Sequence, residues 1–322
     1  MSKKLKVLII YYSQTGNTQK IAQAIRDGFK EAGHQAVLKI LKTVKNNELQ
    51  NFDLIGFGSP VWYEMPPNLR RFVEDMPRLD GKLAFSFCTH GTLPALYFPL
   101  AVPRLQRKGL TVVDWHSWYG NCSIQIFPEP YYTADHPDEQ DLADAKSFGR
   151  STADKSLRIM AGESGLIPVA PAPDMLPQHA NAAIDHLGGF HNIHGRLIRD
   201  PAKCLFPKCR ICMDNCTMDY IDLAAEPQKF GSEGTACDDC HGCTYCEMLC
   251  PTGAIRPVIP YETAAPVGTD HGMSLFASVL AKAEADGKFR RLLPLAEVGT
   301  KTPFYAVHPR HPRLKPLSFK ED

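Results

Sequence analysis

Residues 6–18 read KVLIIYYSQTGNT. Lys6 to Tyr12 is a continuous apolar run rich in β-branched residues, the pattern of a parallel strand buried on both faces. Ser13-Gln14-Thr15-Gly16-Asn17-Thr18 then sets hydroxyls, amides and a glycine in a row. From Gln19 to Ala32, Ile21, Ala24, Ile25, Gly28 and Phe29 recur at helical spacing. A strand, a small polar loop and a helix start together make an anion site. Loop amides and the helix N-terminus turn donors and positive dipole toward a phosphate. Ser13, Thr15 and Thr18 add hydroxyl donors. There is no lysine as in G-x4-G-K-[ST] and no G-x-G-x-x-G, so nucleoside triphosphate and dinucleotide loops are not matched. The plainer alternative is an ordinary strand-to-helix turn with a threonine cap.

The alternation continues outward. Val37 to Ile40 suits a second strand. Leu54 to Phe57 suits a third and runs into Gly58-Ser59-Pro60-Val61-Trp62-Tyr63-Glu64-Met65-Pro66. Leu83 to Phe87 is a fourth, followed by Cys88-Thr89-His90-Gly91-Thr92 and a helix over Leu93 to Lys108. Thr111 to Ser117 is a fifth, followed by Trp118-Tyr119-Gly120-Asn121, and Asp138 to Met160 reads as a long closing helix. The loops follow strand C-termini, where open α/β sheets bind ligands.

This stretch resembles the flavodoxin family, whose phosphate loop has the form hydroxyl, x, Thr, Gly, x, Thr. The resemblance implies an α/β flavodoxin-like fold, a doubly wound five-stranded parallel sheet, over residues 1–161. It implies FMN as cofactor, with the phosphate at Ser13, Gln14, Thr15, Gly16, Asn17 and Thr18. Ser59, Pro60, Val61, Trp62 and Tyr63 would place an aromatic ring against the isoalloxazine. Thr89, His90, Gly91 and Thr92 would hold its pyrimidine edge, and Tyr119 and Gly120 complete the set. One departure is Glu64, where related sequences tend to carry glycine; a non-glycine residue resists the positive φ that a backbone flip there can require. Glu64, His90 and Tyr119 are the candidates for catalysis. Glu64 reads either as a proton donor or as a solvated loop carboxylate, and His90 either as a group approaching the ring or as a surface histidine. Cys88 reads as a small buried apolar residue; Cys122 has no assignment.

Nine of the eleven cysteines lie between Cys204 and Cys250. Cys240, Cys243, Cys246 and Cys250 precede Pro251 at C-x2-C-x2-C-x3-C-P spacing, which suits a [4Fe–4S] cluster. Upstream, Cys209, Cys212 and Cys216 repeat the last three positions, with Cys204 in a C-x4-C relation to Cys209. Zinc sites usually pair two C-x2-4-C units or add histidines, and a disulfide scaffold suits an oxidising compartment. The cysteine run resembles bacterial ferredoxins, in which the fourth cysteine of each motif ligates the other cluster. That resemblance implies two [4Fe–4S] clusters in a small α+β ferredoxin-like domain over 200–260. One takes Cys204, Cys209, Cys212 and Cys250. The other takes Cys240, Cys243, Cys246 and Cys216. Cys237 is open between a free thiol and an alternative ligand in place of Cys204.

Residues 162–199 are rich in proline and glycine and read as a linker, with a short helix over Gln178 to His186. His179, His186, His191 and His194 lack a compact ligand spacing and read as linker histidines. Residues 261–322 are expected to form a C-terminal extension packing on either domain. It holds a helix over Ser274 to Asp286, striped by Leu275, Val279 and Ala283, and a basic tail with His308, Arg310, His311, Arg313 and Lys315.

At 322 residues, two domains are expected. A net charge of +1 gives no global field for nucleic acid or an anionic membrane. The longest apolar runs are too short to span a bilayer. The two lysines and short apolar run at the N-terminus fall below a secretory signal, so the cytoplasm is expected. The whole resembles flavodoxin–ferredoxin fusions of anaerobic bacteria and archaea. That implies electron transfer among FMN, two clusters and a partner oxidoreductase. Two other readings stay open: an FMN-dependent reductase of a small organic substrate fed by the clusters, and a redox-responsive binding protein.

Overall fold

The computed structural model describes residues 3–62, 64–122, 129–172, 197–230, 245–257 and 269–301. Five parallel strands form the main sheet: β1 (Lys6–Tyr11), β2 (Gln35–Ile40), β3 (Leu54–Pro60), β4 (Leu83–His90) and β5 (Thr111–Tyr119). Their order is β2-β1-β3-β4-β5. Helices α1 (Asn17–Glu31), α2 (Pro67–Asp75), α3 (Tyr97–Arg107) and α4 (Glu139–Met160) connect and cover them.

The strands are apolar on both faces because both faces are covered. Leu8, Ile10, Ile55, Phe57, Ala84 and Val112 pack with Leu69 and Val73 of α2 and with Ala101 and Leu105 of α3. Val7, Ile9, Leu54, Phe85, Phe87 and Val113 pack with Ile21, Ile25 and Phe29 of α1 and with Ala145 and Ala153 of α4. β4 is buried at all eight positions, as a central parallel strand must be. The expected strand and helix sequence is present, and β3, β4 and β5 each run two or three residues beyond the expected ends.

Helix α2 was not among the sequence expectations, although its signal is present. Pro67 stands at the start of the helix, and Leu69 and Val73 are its buried positions. α1 and α4 cross without side chains between them at Gly28 and Gly149. A Cβ on Gly28 would overlap the carbonyl oxygen of Lys146, and one on Gly149 would overlap that of Ile25.

The second unit is small. β6 (Leu197–Arg199) pairs antiparallel with β7 (Ile255–Pro257), with Ile198 opposite Arg256. Between them lie two short helices, α5 (Ile211–Asp214) and α6 (Tyr245–Leu249). Leu197, Ile221, Leu223, Ala254 and Ile255 form its core with Cys212 and Cys250. β6 lies inside the stretch read as linker and ties that stretch into this unit. α7 (Thr269–Ala285) begins five residues before the helix expected from Ser274. The expected helix at 178–186, the four linker histidines, Tyr63 and the basic tail lie outside the described residues. No helix among the described residues is long and apolar enough to cross a membrane.

Gly28→Ala should cost about 3 kcal/mol, because the clash is with backbone and the two helices must separate. Urea denaturation of the variant checks this; an unchanged midpoint would show that the crossing can open freely.

Candidate functional site

Four loops meet at the C-terminal edge of the sheet and enclose a cleft. The first contributes Ser13, Gln14, Thr15, Asn17 and Thr18; the second Pro60, Val61 and Trp62. Thr89, His90 and Gly91 come from the third, and Gly120, Asn121 and Cys122 from the fourth.

The first loop is preformed. Gly16 has φ of 97°, a left-handed conformation that glycine adopts freely, and its N–H donates to Ser13 Oγ at 3.2 Å. α1 then starts at Asn17 with no acidic residue in its first turn, so the positive end of its dipole is uncompensated. Thr18 Oγ1 lies 2.7 Å from Thr89 Oγ1 in a buried bond that joins the first and third loops. Asn17 Nδ2 donates to the Asn121 carbonyl at 2.8 Å and joins the first to the fourth.

The second loop is held from outside the cleft. Val61 N–H donates to the Thr89 carbonyl at 2.9 Å, and Trp62 N–H donates to the Glu64 carbonyl at 3.0 Å. Both oxygens of the Glu64 carboxylate are engaged, by Arg70 of α2 at 3.2 Å and Arg104 of α3 at 2.6 Å. The Glu64 carboxylate thus anchors the loop to two helices.

Not all the residues expected at the cofactor line the cleft. Ser59 is fully buried, with its hydroxyl 2.8 Å from Tyr97 Oη. It shares the face of Ile55 and Phe57, as strand alternation requires. Thr92 is taken up by Tyr131, hydroxyl to hydroxyl at 3.0 Å. Tyr119 stands behind His90, ring edge to face at 4.6 Å, and burial pushes its hydroxyl up to about 12. Asn121 and Cys122 line the cleft and were not among the expected cofactor residues; the turn after β5 places them there.

His90 is buried, with Nε2 3.3 Å from Ser117 Oγ. Burial first, then the neighbouring His116 and His136, push its pKa down to about 3, so it is neutral. Of the residues lining the cleft, His90 alone has a buried side-chain atom, Nδ1, with no partner among the described residues. An orphaned buried donor or acceptor costs about 1–3 kcal/mol. A preformed anion loop, an indole and an unsatisfied imidazole nitrogen around one cleft fit a phosphorylated, flat, hydrogen-bonding cofactor such as FMN.

The second candidate centre is the cysteine cradle. Cys212 is pushed up to about 11, first by burial and then by the thiols of Cys204, Cys250 and Cys209. Cys212 is thus within electrostatic reach of Cys204, Cys209 and Cys250, the set expected with it at one cluster. Burial is the largest single influence on Cys250 and acts upward, but the amides of Ile255, Thr252 and Ala254 with the Thr252 hydroxyl outweigh it and lower its pKa. Ala254 N–H reaches Cys250 Sγ at 3.2 Å, and Tyr220 N–H reaches Cys216 Sγ at 3.3 Å. Amide donors of this kind stabilise thiolate ligands. A tetrahedral zinc holds its sulfurs about 3.8 Å apart; among the described residues no three cysteine sulfurs lie within 4.8 Å of one another. Cys237, Cys240 and Cys243 lie outside the described residues.

A cavity of about 320 Å³ separates the two centres, lined by Tyr12, Ser13, Lys42 and Arg71 on one side and Cys216, Met218 and Tyr245 on the other. Lys42 Nζ donates to the Asp214 carbonyl at 2.8 Å.

Two family models match the chain: one described as a flavodoxin domain, at residues 8–95, and one described as a 4Fe-4S binding domain, at residues 238–256. The chain is 29% identical over 200 residues to an NAD(P)H dehydrogenase (quinone) of Archaeoglobus fulgidus, covering 48% of this chain and 98% of that protein. It is 25% identical over 162 residues to a flavodoxin of Clostridium saccharobutylicum, covering 48% and 99%. It is 34% identical over 56 residues to a ferredoxin of Methanothermococcus thermolithotrophicus, covering 17% and 87%. Sheet, cleft, cradle and relatives together define an electron-transfer protein of the flavin and iron–sulfur class. The chain belongs to the flavodoxin–ferredoxin fusions, with a flavodoxin-like domain that takes FMN followed by a ferredoxin-like segment that takes a [4Fe–4S] cluster.

Glu64→Gln keeps the loop's shape but loses the charge-assisted bonds to Arg70 and Arg104, worth about 1 kcal/mol. FMN affinity, measured by quenching of flavin fluorescence, should fall about fivefold. The pH dependence of flavin reduction should not move; a moved profile would restore Glu64 as a proton donor.

Proposed function

We propose that this chain is a cytoplasmic adaptor passing electrons between FMN in the cleft, two [4Fe–4S] clusters and a partner oxidoreductase. FMN exchanges one or two electrons and each cluster exchanges one, so the chain would join hydride chemistry to single-electron delivery. The observation that carries the reading is the shared cavity, which has Ser13 of the phosphate loop on one wall and Cys216 of the cradle on the other. In this reading Cys204, Cys209, Cys212 and Cys250 hold one cluster, and Cys216, Cys240, Cys243 and Cys246 the other. Ser13, Thr15, Thr18 and the first turn of α1 hold the phosphate, Trp62 flanks the ring, and the third and fourth loops hold its polar edge.

A second reading has the same centres reducing a small organic molecule. It is favoured by the near full-length match to an NAD(P)H dehydrogenase (quinone) and by the room between the two centres.

Anaerobic protein should contain one FMN and about eight irons per chain. Cys212→Ala and Cys246→Ala should each lose about half the iron and keep the FMN. Iron unchanged in either variant would overturn the ligand assignment, and about four irons in the unmodified protein would leave one cluster only. A purified protein that reduces quinones at a rate set by its own flavin would favour the second reading.

A further inference from the structure

The C-terminal arm, residues 288–301, returns to the flavodoxin-like domain and meets it at one buried histidine. His136 is 3% exposed. Its Nδ1 lies 2.6 Å from Asp141 Oδ2, and its Nε2 lies 2.8 Å from the carbonyl oxygen of Arg290. A carbonyl oxygen only accepts. Asp141 Oδ2 also takes the Asp138 backbone N–H at 2.9 Å, so it is an acceptor as well. Two acceptors on two ring nitrogens require two ring N–H groups, and an imidazole with both is a cation. Asp138 closes the set by binding both guanidinium nitrogens of Arg290 at 2.7 and 2.6 Å. Ligand atoms of His136, Asp138 and Asp141 lie within 4.8 Å of one another, but the guanidinium already supplies the second cation there.

The same residue reaches the cleft through its backbone. The His136 carbonyl accepts the Asn121 N–H at 2.8 Å, and Thr133 Oγ1 donates to the Gly120 carbonyl at 2.8 Å. Gly120 and Asn121 line the cleft. On the arm, the Phe289 ring packs on Tyr119 at 4.7 Å and on His136 at 5.7 Å, and Tyr119 packs on His90. Further along, Gly299 N–H donates to the Pro130 carbonyl at 3.0 Å and Lys301 N–H to the Glu129 carbonyl at 2.9 Å.

We propose that His136, held as an imidazolium, is a positioning residue that couples the seating of the C-terminal arm to the shape of the fourth cleft loop, and through it to flavin affinity. The last clause rests on the FMN reading; the arm's seating does not. The groups facing the ring are Asp138 and Asp141 from α4, Arg290 from the arm, and neutral Tyr119 and His90 from the ends of β5 and β4. Burial is the largest single influence and opposes the charge. The bonds to Asp141 and to the Arg290 carbonyl, with the charges of Asp141 and Asp138, outweigh it and raise the pKa above 6.5. A raised folded-state value means that the stabilisation is complete below the ordinary histidine range. It is lost as the pH rises through the folded-state pKa.

The test is hydrogen exchange of residues 288–301 and FMN affinity of the full-length protein, both measured from about pH 5.5 to 9.5. Arm protection and affinity should hold at the acid end and fall together through one protonation step, with affinity weakening about tenfold. His136→Gln offers one donor nitrogen and no charge, and cannot serve acceptors on opposite sides as the ring does, so its arm should exchange fast at every pH. Because that variant can fail to fold, Asp141→Asn serves as the second; it should move the midpoint to lower pH. A flat exchange profile in the unmodified protein, or an unmoved midpoint in Asp141→Asn, overturns the proposal. An arm that opens while FMN affinity stays constant overturns the coupling. Failure to bind FMN at any pH would instead overturn the FMN reading, with the exchange profile still deciding whether His136 seats the arm.

Discussion

The structure depends on a parallel sheet buried on both faces. Burying β4 along its full length requires helices above and below. Helices on both faces require right-handed crossovers, and every crossover leaves its strand at the same edge of the sheet. That edge therefore collects four loops that lie beyond the regular strand ladder. The bonds between Thr18 and Thr89, Asn17 and Asn121, and Val61 and Thr89 tie those loops to one another. The cleft follows from the topology, and the loop sequences decide what it binds.

The loops are made stiff by different means. Gly16 lets the first turn sharply into α1, so the phosphate loop is fixed by backbone conformation. The second is fixed by charge, with Glu64 between two arginines. A surface ion pair is ordinarily worth little, but here one partly buried carboxylate bridges two helices, and its arginines are 30% and 16% exposed. The fourth loop is fixed from behind by Thr133 and the His136 carbonyl. The cysteine cradle uses a fourth device, amides donated to sulfur, which at Cys250 outweighs burial and lowers the thiol's pKa.

Much of the fold was legible in the sequence because it is carried by local signals. The apolar run of β1 and the hydrophobic-rich stretches after it gave all five strands. Alternation along β3 also carried a signal that the expected cofactor set passed over: Ile55, Phe57 and Ser59 share a face, so Ser59 turns to Tyr97 and away from the cleft. α2 was equally readable from Pro67, Leu69 and Val73. β6 was not, since three residues carry no period and become a strand only by pairing with β7. The roles of Glu64 and His136 were out of reach for a different reason. Their partners lie 40 and 154 residues away in the chain, and spacing within a motif says nothing about contacts at that range.

The two histidines nearest the cleft show how far environment overrides residue type. His90 and His136 are both buried and their rings flank Tyr119. One is driven neutral and the other is held charged. Burial alone would neutralise both. The difference is the set of acceptors. His90 has one hydroxyl contact and no carboxylate, whereas His136 has a carboxylate on one nitrogen and a carbonyl on the other. The charge on His136 then works against a second charge at His90. The pair therefore divides the work: the cation organises the outside of the fourth loop, and the neutral ring keeps an unsatisfied nitrogen beside the cleft, where a bound cofactor can satisfy it.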